Sequence, residues 1–505
     1  MLRPPSRRPA WLLAAGLVAA HVVVNARSPY GLHRDELLYL AMGRHLRLWR
    51  MDFPPLIAMV GNLSAPLGPA PWAVRLVPAL AGSALVLLVA WMARRLGASA
   101  GMQLAAALVV ACGPIFFGAA NLYQPVVFDQ LWWTAALAAL VGLRTGGDRR
   151  WWLALGVAMG LGLLTKFSIV FIGAGVGAAL VLGPHRADLR TRWPWLAFLT
   201  AMVIGSPSLV GQWRLGWPVL GQMEGLREAQ LARIGPLDFF AGLPLLIGPG
   251  LVLAAVGAVW LLATRESRPV REVAIAPLVA LALLALGRGK SYYGAPAFPA
   301  LVAAGAVALA RLRVPALRRA TAGVLVASSV AVAVLAAPLA LPLLPPPRLV
   351  EHLRAIGFAP ETNVGEPLAI PQDQADMLGW EALVDTTARV ARSLSPAERE
   401  GAVVVGINYG RAGALELYGP SRALPPVVSP YGSFWFFGPG ARPGDPVIVV
   451  GEDPEEPAPL FARCELAARV RNAWGVPEER DVPITLCRGA RTTLQALWPS
   501  LAGRQ

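Results

Sequence analysis

Long apolar runs fill the first 345 residues of this chain, and no other feature limits its fold as much. A helix needs about 20 mainly apolar residues to cross a bilayer. Eleven runs reach or approach that length: 10–26, 72–93, 101–120, 126–143, 151–165, 167–183, 193–211, 239–262, 273–287, 294–310 and 320–344. In hydrocarbon every backbone N–H and C=O must be satisfied within the segment, so such runs read as helices. Some are short or closely joined, so the expectation is about 11 spans, with about 13 as the upper count. Residues 346–505 break the pattern and read as an ordinary soluble sequence. The whole chain is 15% charged, against roughly 25% for a soluble protein, and the deficit lies in residues 1–345. The expected fold class is an α-helical polytopic membrane protein with a C-terminal soluble α/β domain, divided into 1–345 and 346–505.

The net charge of +15 would suggest a nucleic-acid partner for a soluble protein. Here the Arg residues sit in the loops between apolar runs, the pattern of positive-inside topology, and nucleic acid is rejected as a partner. With residue 1 on the cytoplasmic side, the cytoplasmic segments hold Arg3, Arg7 and Arg8; Arg94 and Arg95; Arg144, Arg149 and Arg150; Arg186, Arg190 and Arg192; Arg265, Arg268 and Arg271; and Arg311, Arg313, Arg318 and Arg319. The opposite loops are poorer, and 121–125 has no basic residue. An odd number of spans then places residues 346–505 outside. The expected location is the inner, or plasma, membrane, with the C-terminal domain periplasmic or extracellular. No small-residue cleavage site follows the first run, which reads as a retained helix.

The external loops 27–71 and 212–238 are long, and long loops are usually functional. In the first, Leu38, Ala41, Met42, His45 and Trp49 recur at helical spacing, which predicts an amphipathic helix along the outer surface. In the soluble part 402–406 and 446–451 read as buried strands. Residues 373–394 and 396–400 read as helices, with Ser395 as a cap. That alternation predicts an α/β layer. Cys112 lies in an apolar run as a packing residue, while Cys464 and Cys487 pair if their domain faces an oxidising compartment.

A charged side chain at the centre of a bilayer helix costs about 2.5–3.5 kcal/mol, so acids near the membrane need a reason. Asp148, Asp188, Glu266 and Glu272 lie among cytoplasmic Arg residues, where solvated ion pairs suffice. Asp35 and Glu36 open the amphipathic helix, where a helix cap explains them as readily as chemistry does. Asp129 stands at the outer mouth of an apolar helix with no basic neighbour in sequence. It reads as functional or paired through space.

The segments His33-Arg34-Asp35-Glu36-Leu37, Met51-Asp52-Phe53-Pro54-Pro55-Leu56, Arg75-Leu76-Val77-Pro78-Ala79-Leu80 and Phe128-Asp129, in that order, resemble the glycosyltransferase family 39 proteins of the GT-C superfamily. That family includes protein O-mannosyltransferases and the bacterial aminoarabinose transferase of lipid A. The resemblance covers the membrane half. Gly289-Lys290-Ser291-Tyr292-Tyr293, Asn408-Tyr409-Gly410 and Glu479-Arg480-Asp481-Val482-Pro483 are similar to the prokaryotic branch with a C-terminal periplasmic domain. The lipid A branch carries a Lys immediately before its paired prolines. This chain has Phe53 there, which argues against lipid A aminoarabinosylation.

The resemblance implies a GT-C-like fold and an inverting transfer, outside the membrane, from a polyprenyl-phosphate sugar donor to a protein, lipid or glycan acceptor. Such a transfer needs a base for the acceptor proton and cations for the departing phosphate, but no covalent nucleophile. Asp35 is implied as the base, with Glu36 and Asp129 orienting the acceptor or tuning Asp35. Arg75 is implied at the donor phosphate and Asp52 at the substrate. Of 45 basic residues only Lys166 and Lys290 are Lys, both in tight external loops. A Lys is a compact point charge where Arg is a planar fork, so both are expected at the donor phosphate. Tyr292 and Tyr293 read either as stacking partners of the substrate or as an interfacial aromatic belt. For Trp132 and Trp133 the belt is preferred. No cofactor is required and no metal ligands are assigned, while a divalent cation stays open. Membrane lipids are the other expected partners. A transporter or flippase for a lipid-linked sugar is the main rival, but the sequence lacks its repeated halves and midplane charges. A non-catalytic scaffold with a partner-binding outer domain is the third reading.

Overall fold

A computed structural model describes residues 8–231 and 235–502. Arg3 and Arg7 lie outside the described residues. Each of the eleven apolar runs is mainly helical, but they are not eleven equivalent spans. Among the described residues six helices are long and apolar enough to cross a membrane: Arg8–Arg27, Pro71–Arg95, Pro125–Gly146, Trp193–Arg214, Ser291–Ala310 and Pro315–Ala340. A seventh arises if Pro236–Ile247 and Gly250–Ala263, bent by 114° at their junction, count as one. Trp151–Leu163, Ile169–Leu182 and Glu272–Leu286 have 13, 14 and 15 residues. At 1.5 Å per residue they reach only about 20 Å, short of the roughly 30 Å hydrocarbon core. The run 101–120 breaks at Gly113-Pro114 into Ala100–Ala111 and Pro114–Ala119. Proline lacks the N–H that would continue the ladder. Hydropathy marks both full-length and shorter apolar helices, so the count of runs exceeds the count of helices of membrane-spanning length.

The Arg-rich segments meet at one end of the bundle. Arg144 bonds Glu272 and also Asp188, the latter at 2.6 Å, while Arg311 pairs with Glu266. At the opposite end the chain turns after the first span into the helix Arg34–Arg44. His33 caps it, and Glu36 completes a capping box. This helix was expected on the outer surface. Instead it is covered on two sides, by Leu56–Ser64 and by Tyr409–Tyr418 from the C-terminal region. Leu37 and Met42 are fully buried. Gly413 lies at the crossing, where an added Cβ would come within 2.8 Å of Leu37. Both apolar faces of the helix are therefore used in packing.

The C-terminal region carries one five-stranded sheet in the order β2-β1-β3-β5-β4. The strands are β1 (Val403–Gly406), β2 (Val427–Val428), β3 (Val447–Val450), β4 (Phe461–Arg471) and β5 (Asp481–Ala490). β1 runs parallel to β2 and β3, and β5 runs antiparallel to β3 and β4. Cys464 and Cys487 face each other in register across β4 and β5 and form a disulfide. The expected helix 373–394 is split at Gly379, whose φ of +92° suits glycine, into Gln372–Ala375 and Trp380–Arg392. Ser395 caps Pro396–Gly401 in a capping box. One buried cluster runs from Leu37, Ile57 and Tyr123 to Leu383, Val404 and Ile484. The membrane part and the sheet thus share a core rather than meeting across a polar linker.

Candidate active site

The seam between the two parts holds a cavity of about 460 Å³ with two contrasting ends. Pro114, Ile115, Leu245, Leu246, Leu339 and Ala340 line an apolar groove. These residues sit where helices break, bend or end, at Pro114–Ala119, Leu243–Ile247 and the close of Pro315–Ala340. The polar end carries Asp35, Lys290, Tyr292, Tyr409, His33 and Asp376.

Asp35 lies in the first turn of Arg34–Arg44, where the helix dipole favours a carboxylate. Its Oδ1 accepts from the Tyr409 hydroxyl at 3.0 Å and its Oδ2 from Gln124 Nε2 at 3.1 Å. The side chain keeps 28% exposure, so unshared lone pairs face the cavity. Burial, together with the Asp35 charge, pushes the Tyr409 hydroxyl well above the ordinary tyrosine range, and it stays a donor. The Arg34 guanidinium lies 4.8 Å over the Tyr409 ring.

Glu36 has the opposite environment. It is fully buried and accepts from Arg75 Nε at 2.9 Å, Arg75 Nη2 at 2.8 Å, and the backbone N–H groups of Tyr123 and His33. Burial alone would raise its pKa, but Arg75 and the two N–H donors outweigh that and hold it below the usual carboxylate value. Arg75 is equally committed, since its remaining donors reach Asn25 Oδ1 and the Gly31 carbonyl. Neither residue lines the cavity; together they anchor the helix that carries Asp35. Asp52 was expected at the substrate and likewise does not line the cavity. It is buried against the C-terminal region and takes a 2.7 Å bond from Ser433 Oγ. Burial pushes its pKa up to about 6.

Lys290 lines the cavity and donates to Asn363 Oδ1 at 3.3 Å. Burial and the nearby Lys166 charge push its pKa down. Lys166 sits behind, 4.5 Å over the Tyr293 ring and 5.4 Å over the Tyr292 ring. It also supplies the positive charge that Asp129 lacks in sequence. Asp129 is buried outside the cavity lining and accepts from Ser168 Oγ at 2.7 Å. Tyr292 lines the cavity, with Tyr293 edge-on against it. The belt reading fails for Trp133, which is fully buried, whereas Trp132 donates to Thr165 Oγ1 at 3.0 Å.

The sequence therefore brings Asp35, Lys290 and Tyr292 to one cavity, with Lys166 and Tyr293 behind it. Reading by residue type missed Tyr409, Gln124, His33 and Asp376. Tyr409 and His33 stood in the quoted segments, which was the available signal. Gln124 and Asp376 gave none. Among the described residues no group of three or more His, Cys, Asp and Glu is placed to hold a metal ion.

Residues 52–211 match the family model described as dolichyl-phosphate-mannose-protein mannosyltransferase. The fold is similar to that of ArnT from Cupriavidus metallidurans bound to undecaprenyl phosphate. The TM-score is 0.62 at 19% identity, over 99% of this chain and 100% of that one. For the same protein in the apo state the TM-score is 0.60 at 20% identity, with the same coverage. No curated protein matches the chain. The fold expected from the resemblance agrees with the ArnT-like fold observed and with a multi-pass membrane protein.

Proposed function

We propose that this chain is a membrane glycosyltransferase that moves a sugar from a polyprenyl-phosphate donor to an acceptor hydroxyl. The observation that carries the reading is the two-ended cavity, in which an apolar groove between broken helices runs into a pocket holding one accessible carboxylate and one lysine. An amphiphile with a long hydrocarbon chain and a phosphate head fits that division, and a water-soluble nucleotide sugar does not. The ArnT structure with undecaprenyl phosphate and the matched mannosyltransferase family model support the same class of donor.

The chemistry follows from the residues. Asp35 accepts the proton of the acceptor hydroxyl as that oxygen attacks the anomeric carbon. The bond from the anomeric carbon to the phosphate oxygen breaks on the opposite face, so the configuration inverts. Lys290 meets the charge that grows on the leaving phosphate, with Lys166 behind it. Tyr409 and Gln124 hold Asp35 in place by donating to its two oxygens. Tyr292 offers its ring as a wall for the sugar. The reaction takes place at the end of the bundle away from the Arg-rich loops, and the positive-inside pattern of those loops supports an extracytoplasmic site.

Purified protein in lipid nanodiscs, given radiolabelled polyprenyl-phosphate sugars and a membrane extract as acceptor source, tests the reading. Release of free polyprenyl phosphate that depends on the extract is expected. Movement of intact donor across vesicles without release would instead mean a transporter.

A further inference from the structure

Three buried polar atoms at the polar end of the cavity have no hydrogen-bond partner among the described residues: His33 Nε2, Asp376 Oδ1 and Arg34 Nε. His33 is 3% exposed and Asp376 2%, and both line the cavity. Asp376 Oδ1 faces the Arg34 guanidinium at 3.6 Å, an ion pair without a hydrogen bond, while His33 Nε2 has no bonding partner among the described residues; buried polar atoms in native structures are nearly always hydrogen-bonded, so this wall points to a ligand. His33 Nε2 stands 3.7 Å from Asp376 Oδ2 and 3.8 Å from Asp373 Oδ1, too far for a bond, while an oxygen lying to one side on the cavity face reaches both ends.

The tautomer identifies the kind of oxygen. The backbone N–H of Asp35 donates to His33 Nδ1 at 3.1 Å, so Nδ1 is an acceptor and the ring proton sits on Nε2. Nε2 thus points a donor, not a lone pair, at the gap. A metal ion needs a lone pair there, and an ammonium group would meet an N–H. A hydroxyl accepts from Nε2–H and donates to the Asp376 carboxylate.

The gap also has a fixed relation to the phosphate end. Lys290 Nζ bonds Asn363 Oδ1, the Asn363 N–H bonds Gln372 Oε1 at 2.8 Å, and Gln372 Nε2 bonds Asp376 Oδ2 at 3.3 Å. A relay of two side chains separates the lysine from the orphaned pair. On the other side, His33 Nδ1 is 4.0 Å from Asp35 Oδ2.

We propose that His33 and Asp376, with Asp373 at the rim, form the subsite that recognises a hydroxyl of the donor sugar, next to its phosphate at Lys290. This rests on the glycosyl-transfer reading and adds the side chains that distinguish a sugar-loaded lipid from the bare one. The C-terminal region then supplies part of the sugar site, because Asp373 and Asp376 both belong to it.

The test measures binding to the full-length protein in nanodiscs of undecaprenyl phosphate alone and of undecaprenyl phosphate carrying mannose, glucose, galactose or a pentose. Wild type is expected to bind at least one loaded lipid better than the bare one. In Asp376→Asn and His33→Ala that preference falls about 10-fold or more, because a buried partner is left unpaired, while affinity for undecaprenyl phosphate stays within about 2-fold. Asp373→Asn, at an exposed side chain that bears little on folding, should give a smaller loss of the same kind. Unchanged sugar preference in all three variants would mean that the gap holds only water, and would overturn the proposal. An equal loss for bare and loaded lipid would overturn it as a purely structural effect, and so would a wild type without sugar preference. A wild type that binds neither lipid would sink the glycosyl-transfer reading instead.

Discussion

Asp35 and Glu36 are adjacent acids with opposite fates. Helical geometry turns successive side chains by about 100°, so one faces the cavity while the other points into the protein. Glu36 is saturated by four donors, while Asp35 holds two and stays accessible. Asp35→Asn should therefore reduce transfer by about 10²-fold or more with the melting temperature little changed, as measured by polyprenyl phosphate release and thermal unfolding. An Asn variant with wild-type turnover would remove Asp35 as the base. Arg75→Met breaks a fully buried pair and leaves Glu36 charged and unpaired, at a cost of about 3–5 kcal/mol. It should lose thermal stability whether or not substrate is present. A phosphate role for Arg75 predicts the reverse, weaker lipid binding at unchanged stability. For Lys290, Arg keeps the charge but brings a planar fork to a partly buried site. Lys290→Arg should raise donor KM clearly and Lys290→Ala more so, and a silent Arg variant would leave Lys290 as a snorkelling charge. The sequence pointed to Asp35 through the family resemblance and to Lys290 through the scarcity of Lys, and left Tyr292 between substrate and aromatic belt. It gave no way to separate Glu36 from Asp35, because the partner Arg75 lies 39 positions away and only the fold brings it in.

At the scale of elements, hydropathy located nearly every apolar helix but not its length. Trp151–Leu163 has 13 residues and both buried and exposed apolar faces, and periodicity does not tell such a short helix from a full span. The strands β1 and β3 were legible as continuous Val-rich runs, the mark of strands covered on both faces. β4 was not, because it is an edge strand whose sequence is largely polar and exposed, and only its disulfide to β5 ties it to anything readable. The helix Arg34–Arg44 was legible as amphipathic, but periodicity does not reveal that two elements cover it, Leu56–Ser64 and Tyr409–Tyr418. Asp52 adds a further contact to the C-terminal region, through Ser433. Burial raises the Asp52 pKa from 3.8 to about 6, so the native state holds this proton more tightly than the unfolded chain. The stability that protonation provides is fully present below about pH 4 and is lost as pH rises through about 6. Asp52→Asn removes the charged form and keeps an acceptor for Ser433. It should be more stable than wild type by about 1–3 kcal/mol at pH 8, with the gap closing toward pH 4 in thermal unfolding at both values. A gap that widens on acidification would mean the burial of Asp52 has been misread.

The whole molecule is polar in its layout, and that polarity determines where any chemistry happens. At one end Arg144, Asp188, Glu272, Glu266 and Arg311 knit the Arg-rich loops together. At the other lie both lysines, Asp35 and the sheet, joined through one buried core. Arginine-rich loops are held on the cytoplasmic side during insertion, and they all gather at a single end, so a reversed orientation would carry the whole set across the membrane. The sheet is fixed to the opposite end by the contact of Arg34–Arg44 with Tyr409–Tyr418, so it cannot lie on the cytoplasmic side while the loops do. The disulfide of Cys464 and Cys487 agrees with this, because such bonds persist in oxidising compartments. A reporter that is active only in the cytoplasm, fused after Gln505, should therefore be silent, while the same reporter inserted after Arg149 should be active. An extracytoplasmic reporter should show the converse at both positions. Activity of the cytoplasmic reporter after Gln505 would invert the molecule, place Asp35 and Lys290 on the cytoplasmic face, and move the proposed transfer to the pool of lipid-linked sugars on that side.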